Sequence, residues 1–272
     1  STRSKLIAGF LGVSLLVATV SRFIGVRILD QHVFGEARNR VRQDLNAVSE
    51  MYLTRVKHIK TSLSITTLGF AFISSLREKN AAELVLRLER MAKLADLDFA
   101  GIILEDGSTL CRTGPNPLPA AGASVENPIV RPVLASRIPV SGTLVLDSDF
   151  LIAENPYLAE RARIPFTVGD DPALRSGKEE KSGMVMAAAV PVFEGNLLIG
   201  VLYGGMLLNR SETLVDTVRG TVFQGETYKG RSVGTATIFL GDARISTNVM
   251  TEGGQRALGT RVSPEVREHV LG

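Results

Sequence analysis

From Phe34 the apolar positions fall at 34, 37, 41, 45, 48, 52, 56, 59 and 63, with no Pro or Gly between residues 36 and 68. Steps of three and four in this order make an eleven-residue repeat of about 3.67 residues per turn, which predicts one long, straight helix with an apolar stripe. Arg38, Arg42, Lys57 and Lys60 lie on its polar face. Such a stripe packs either on the sheet of its own domain or on the same helix of a second chain, and the pattern leaves both open. A second helix is expected over residues 81–95. Upstream, residues 6–20 (LIAGFLGVSLLVATV) are uncharged. That run is shorter than the about 20 residues needed to cross a bilayer. Continuing through Phe23 and Ile24 to residue 29 supplies the length, with Arg22 and Arg27 placed to snorkel. A transmembrane anchor is expected over 1–29. A cleavable signal peptide and a buried soluble helix are the competing readings, but no A-x-A site follows and the helical spacing continues past the run.

Beyond the helices the period changes to two. Residues 99–113 (FAGIILEDGSTLCRT) read as strand, turn and strand, with the Asp106-Gly107 pair suited to a primed hairpin turn. A Pro- and Gly-rich loop at 114–123, a short helix around 129–136 and a strand at 142–147 follow. Residues 148–182 are polar and read as irregular. Two strongly apolar strands, 184–193 and 197–208, turn at 194–196. Five strands with helices between the first pair and the last three form a PAS-like pattern, an α+β fold whose sheet and covering helix commonly enclose a small ligand. After a linking helix at 209–219, the hairpin pattern recurs at 235–249 (TATIFLGDARISTNV) around Gly241-Asp242, with a Pro264-led helical stretch after it. No further strands follow before Gly272, and the chain starts at Ser1, so this second unit is expected to be truncated and the chain a piece of a longer receptor.

Charge changes the picture little. The net charge is +3, and residues 1–29 hold Arg3, Lys5, Arg22 and Arg27 with no acid, so the remainder sums to −1. The basic excess flanks the apolar segment, which argues against a nucleic-acid surface on the folded part. Arg38, Arg40 and Arg42 lie just beyond the segment, so positive charge does not choose a topology. Cys111 is the lone cysteine and excludes an intrachain disulfide.

Few motifs carry chemistry. Residues 225–232 (GETYKGRS) miss the phosphate-binding loop by placing Arg231 where Lys is required, and a loop entering a strand explains them better. His32, His58 and His269 have no metal-ligand spacing, and no metal or other cofactor is expected. No nucleophile elbow or paired carboxylates support a membrane-anchored extracytoplasmic enzyme, the rival of another class. A coiled-coil scaffold would not need two α/β units. Three residues stand out as ligand-binding candidates. Arg163 in RARIPF and Arg131 on the covering helix suit bidentate capture of a carboxylate, and the Tyr203 hydroxyl adds a second bond. A structural ion pair or a packed aromatic is the plainer role for each.

The stretch TVFQGETYKGRSVGTATIFLGDARISTNVMTEGGQRALGTRVSPEVREHVL, above all TIFLGDARISTNV with RALGTRVS, resembles the Cache family of extracytoplasmic sensor domains. SGMVMAAAVPVFEGNLLIGVLYGGMLLNR and AERARIP resemble the membrane-distal unit of the fused two-Cache module of bacterial transmembrane receptors. The resemblance implies a sensor in the bacterial inner membrane, with its Cache region periplasmic, binding a small molecule. It also implies a homodimer built on the long helix. In that family the module is most often joined to a two-component histidine kinase, and otherwise to a chemotaxis signalling domain or a diguanylate cyclase. The implied organisation is an anchor over 1–29, stalk and second helix over 30–98, a membrane-distal unit over 99–210, and a linking helix with a truncated membrane-proximal unit over 211–272.

Overall fold

The computed structural model describes residues 2–29, 35–118, 127–167, 179–224, 227–228, 231–232, 234–262 and 268. It divides into two compact units, Ser1–Glu50 and Met51–Gly272. In the first, helix α1 spans Thr2–Leu29. Its described side chains from Gly9 to Ile24 are exposed all round, Phe10, Leu15 and Phe23 among them. Among the described residues no single helix is long and apolar enough to cross a membrane, and Gly9–Ile24 is the apolar part of α1. Helix α2 spans Gly35–Thr67, as the eleven-residue pattern predicts. Val41 and Leu45, in its first turns, are exposed.

In the second unit the stripe of α2 turns into core: Val56, Ile59 and Leu63 are buried. Helix α3 (Phe70–Arg77) follows a bend at Gly69, and α4 spans Ala81–Ala95. Asn80 caps α4 by accepting from the Glu83 amide at 3.2 Å, satisfying one of the unpaired donors of its first turn. The sequence pattern predicts α4 but not α3, whose eight residues span only about two turns and so show no sustained periodicity.

Strands β1 (Phe99–Ile103) and β2 (Thr109–Arg112) form the first hairpin. Its turn differs from the primed type expected. The Leu104 amide bonds the Ser108 carbonyl across a three-residue loop, and only Gly107 has positive φ (84°). A two-residue I′ turn needs positive φ at both central positions, whereas a Gly in the left-handed region closes a three-residue loop. Asp106 Oδ1 accepts from both the amide and the hydroxyl of Ser108, which holds the loop in this form.

Helix α5 (Arg131–Ser136) and strand β3 (Val140–Leu146) come next. The segment read as irregular contains two more helices, α6 (Ser148–Glu154) and α7 (Pro156–Ala162). Asp147 caps α6 by accepting from the Phe150 amide, and Asn155 caps α7 from the Tyr157 amide with Pro156 in its first turn. The two-residue strands β4 (Ile164–Pro165) and β5 (Glu179–Glu180) pair with each other. Strands β6 (Gly183–Glu194) and β7 (Leu197–Leu207) complete the sheet.

The described residues form a five-stranded antiparallel sheet in the order β2-β1-β7-β6-β3, the PAS-like architecture expected. Helices cover both faces, so β6 and β7 are apolar almost throughout and show little alternation. On one face Ala100, Ile102, Ala188, Val190 and Leu202 pack with Ile59, Leu63, Phe72, Leu84 and Leu88 of α2–α4. On the other, Phe99, Ile103, Val185, Val201 and Tyr203 pack with Val133, Phe150, Leu151 and Leu158 of α5–α7.

Helix α8 (Glu212–Phe223) leads to a short ladder of β8 (Thr227–Tyr228) and β9 (Arg231–Ser232), where the near-phosphate-loop motif falls. The second full hairpin joins β10 (Thr237–Leu240) to β11 (Ala243–Thr247). Its two-residue turn places Gly241 first, at φ 60°, as a II′ turn requires. Arg256 clasps this hairpin to α8, 2.7 Å from Asp216 and 3.2 Å from Glu212. The Pro264-led helix lies outside the described residues, apart from residue 268.

Candidate functional site

The helices α5–α7 and the sheet enclose a small buried polar cluster. Tyr203 projects from β7 into this face, is fully buried, and donates its hydroxyl to Glu154 Oε1 at 2.7 Å. Opposite Tyr203 in register stands Gly101. A Cβ at Gly101 would lie 2.4 Å from the Tyr203 oxygen, so the ring reaches Glu154 only because position 101 lacks a side chain. Glu154 ends α6, and Arg112 ends β2 with Nη1 3.7 Å from Glu154 Oε1. The same guanidinium donates to the Ala153 carbonyl. Glu154 Oε2 and Arg112 Nε are both buried without a hydrogen-bond partner.

Burial pushes the Glu154 carboxyl above its ordinary value, against the opposing pull of the Tyr203 hydrogen bond and the Arg112 charge. Tyr203 is raised well above the usual phenol, by burial first and the Glu154 carboxylate second. Burial also pushes the neighbouring Cys111 thiol up to about 12, which makes it an inert packing residue.

Arg163 occupies a different place. It caps the C-terminus of α7, and its exposed guanidinium grips Glu179 across β4 and β5, with Nη2 3.1 Å from both carboxylate oxygens. Lys181 stands 3.5 Å from the same carboxylate. Arg163, Lys181, Glu160, Ser148 and Ile152 line a groove of about 440 Å³. This arginine thus holds a carboxylate in the bidentate manner expected of it, and the carboxylate belongs to the chain itself. Arg131 is exposed at the start of α5. The structure therefore places Tyr203 in the core with Glu154, and Arg163 at the surface with Glu179.

Two buried polar residues lie outside the sequence-predicted candidates. Glu154 sits four residues after Phe150, on the buried side of α6, a spacing that follows once Asp147 caps the helix. Asn209 is fully buried directly after β7, where it reads as an ordinary helix-starting residue. Its Oδ1 accepts from the Met184 amide at 2.9 Å, while Nδ2 donates to the carbonyls of Ala162 (2.8 Å) and Ser182 (3.0 Å). The neighbouring Arg210 donates its amide to Ile245 of β11 and a guanidinium N–H to the Arg163 carbonyl. The end of α7, the start of β6 and the second hairpin are thus joined through two consecutive residues. Among the described residues, no group of three or more His, Cys, Asp or Glu comes together as a metal site. His58 is exposed on α2, whereas His32 and His269 lie outside the described residues.

Residues 206–272 match the family model described as single Cache domain 3. The match spans α8, the β10–β11 hairpin and the RALGTRVS stretch, and bears out the Cache resemblance carried by those residues. No curated protein matches the chain. Among solved structures, the periplasmic domain of Vibrio cholerae LuxQ is similar at a TM-score of 0.47 and 14% identity, over 84% of each chain. The sensor domain of the V. cholerae histidine kinase DctB gives 0.35 and 12%, over 89% of this chain and 76% of that one. The ligand-binding domain of the Pseudomonas aeruginosa PAO1 amino acid chemoreceptor PctC, solved with GABA, gives 0.31 and 13%, over 74% and 73%. At these scores and identities neither ligand nor output follows from the likeness. The segment 206–272 is similar to Cache domains, and the chain as a whole is a mixed helix and antiparallel-sheet protein with a PAS-like sheet.

Proposed function

We propose that this chain is the extracytoplasmic small-molecule sensor portion of a bacterial transmembrane receptor, with a two-component histidine kinase as its output. A chemotaxis receptor and a diguanylate cyclase are the alternative outputs. The observation that carries the reading is the Cache match over 206–272, set directly after a PAS-like sheet with helices on both faces. In this reading residues 1–29 anchor the chain in the inner membrane, which suits an apolar helix exposed all round. Residues 30–98 form the stalk and second helix, 99–210 the membrane-distal unit, and 211–272 the linking helix and membrane-proximal Cache-like segment, in the periplasm.

The ligand would be a small carboxylate taken by Arg163, displacing Glu179, with Arg131 as a further candidate; Tyr203, buried against Glu154, is out of reach of such a ligand. Loss of the Glu179 contact frees β4 and β5, which sit next to the Asn209–Arg210 junction. Movement there would reach the β10–β11 hairpin through the Arg210 bonds to Arg163 and Ile245. Such a shift signals only if ligand binds the two arrangements differently. The exposed Val41 and Leu45 supply a seam for a homodimer through α2.

A screen of small carboxylates for thermal stabilisation of the chain tests the ligand. An acid that raises the melting temperature, and loses that effect in Arg163→Ala, supports the reading. No stabilisation by any acid, or a shift that Arg163→Ala leaves unchanged, counts against it.

A further inference from the structure

The opposite face of the sheet carries a second concavity. The chain bends by 71° between α2 and α3 at Gly69, and the end of α2, the start of α3 and the last turns of α4 line one concavity. The corner leaves a groove of about 450 Å³, within the size range of small-molecule sites. Phe72 and Met91 form its buried floor, while Ile65 and Leu94 stand on its rim at 65% and 82% exposure. Leu68 and Phe70, beside Gly69, are exposed at 79% and 85%. Isolated exposed apolar side chains are ordinary, but Ile65 and Leu94 on the rim of one concavity, with Leu68 and Phe70 next to its Gly69 corner in the chain, mark a binding surface.

The charges of the groove have one sign. Arg87 and Arg90 are its charged lining residues, and no acid lines it. Arg87 is held from outside by Glu83 at 2.8 Å, yet its Nε is buried and has no hydrogen-bond partner. Arg90 is exposed and has no ion-pair partner among the described residues. Two guanidinium groups against the one neighbouring carboxylate of Glu83 leave the groove with an excess of positive charge that an anionic head would balance. Guanidinium forks favour a planar carboxylate for that head.

We propose that the α2–α3–α4 groove binds an amphiphilic carboxylate, its alkyl or aryl body between Ile65, Phe72, Met91 and Leu94 and its head on Arg87 and Arg90. This site is separate from Arg163, which lies beyond the helices on the other face. A single apolar body with one anionic end matches the lining better than a polar metabolite, which would leave the Ile65 and Leu94 rim in water.

The test uses the full chain in lipid nanodiscs, titrated calorimetrically with 4-phenylbutyrate against empty discs. The neutral 4-phenylbutanol and the cationic 4-phenylbutylamine serve as charge controls. The carboxylate is expected to bind, the alcohol ~10-fold more weakly, and the amine not at all. Arg90→Glu and Leu94→Asp each lower carboxylate affinity ~10-fold or more. Both substituted side chains are exposed, so an unchanged melting temperature verifies that the variants fold. Equal affinity for all three probes would overturn the proposal, as would carboxylate binding indifferent to Arg90→Glu and Leu94→Asp. Loss of binding in Arg163→Ala alone would put the acid on the other face. If Leu94→Asp changes the oligomeric mass and the carboxylate does not bind, the patch is a contact between copies and the proposal falls.

Discussion

Replacing Asn209 by Ala removes three hydrogen bonds from a site with no solvent exposure. The Met184 amide loses its acceptor at 2.9 Å, and the carbonyls of Ala162 and Ser182 lose donors at 2.8 and 3.0 Å. A buried group stripped of its partner costs about 1–3 kcal/mol, and the amide weighs most because a carbonyl has a second lone pair to use. The sum expected for Asn209→Ala is about 3 kcal/mol, or a fall of about 6–12 °C in melting temperature for a domain of this size. Asn209→Asp sharpens the test. It keeps the acceptor for Met184 but turns an anionic oxygen toward two carbonyls, so at neutral pH it should be less stable than Asn209→Ala. Its carboxyl should then have a folded-state pKa above the unfolded one. Stability contributed by the protonated form is complete below the unfolded value and is lost as pH rises through the folded one. Asn209→Asp should therefore recover relative to Asn209→Ala on acidification. Thermal melts by circular dichroism from pH 4 to 8 read both effects. An Asn209→Ala variant within ~2 °C of the parent, or an Asp variant more stable than Ala at neutral pH, would refute the hub.

The raised carboxyl of Glu154 has the same sign. Its contribution is greatest below about pH 4 and falls as pH rises through its elevated folded value. Urea midpoints of Glu154→Gln should therefore gain on the parent as pH rises from about 4, whatever the fixed cost of unpairing Arg112, and parallel profiles would contradict it. The α2 seam predicts that Val41→Ser with Leu45→Ser weakens self-association in sedimentation runs by ~10-fold or more, with no change in the melting of the sheet unit. An unchanged association constant would exclude the seam.

The sequence shows most where one period persists. Helix α2 repeats its stripe over 33 residues, and α4 has both a cap at Asn80 and apolar residues at 84, 88, 91, 92 and 95. Strands β6 and β7 are legible as apolar runs around the Gly195 turn. Helices α6 and α7 are seven residues each, too short for periodicity, and their only strong signals are the caps Asp147 and Asn155. Without a sustained period, nothing in the local sequence marks Glu154 as buried. Its union with Arg112 and Tyr203 depends on strand order, because β1 must lie between β2 and β7 to bring those residues together. Neither local propensity nor spacing encodes that order. The same applies to Arg163: its chemistry is readable, but its partner Glu179 lies sixteen residues away in the chain.

The most direct test of the account is on which side of the membrane the PAS-like sheet lies. The native Cys111 is buried, so it contributes little labelling in the folded chain. Ala135→Cys on the exposed side of α5 offers a reporter in intact bacterial cells treated with a membrane-impermeant maleimide. The account predicts labelling of Ala135→Cys before lysis and negligible labelling of the parent chain. Labelling that appears only after the cells are broken open would contradict an extracytoplasmic sensor.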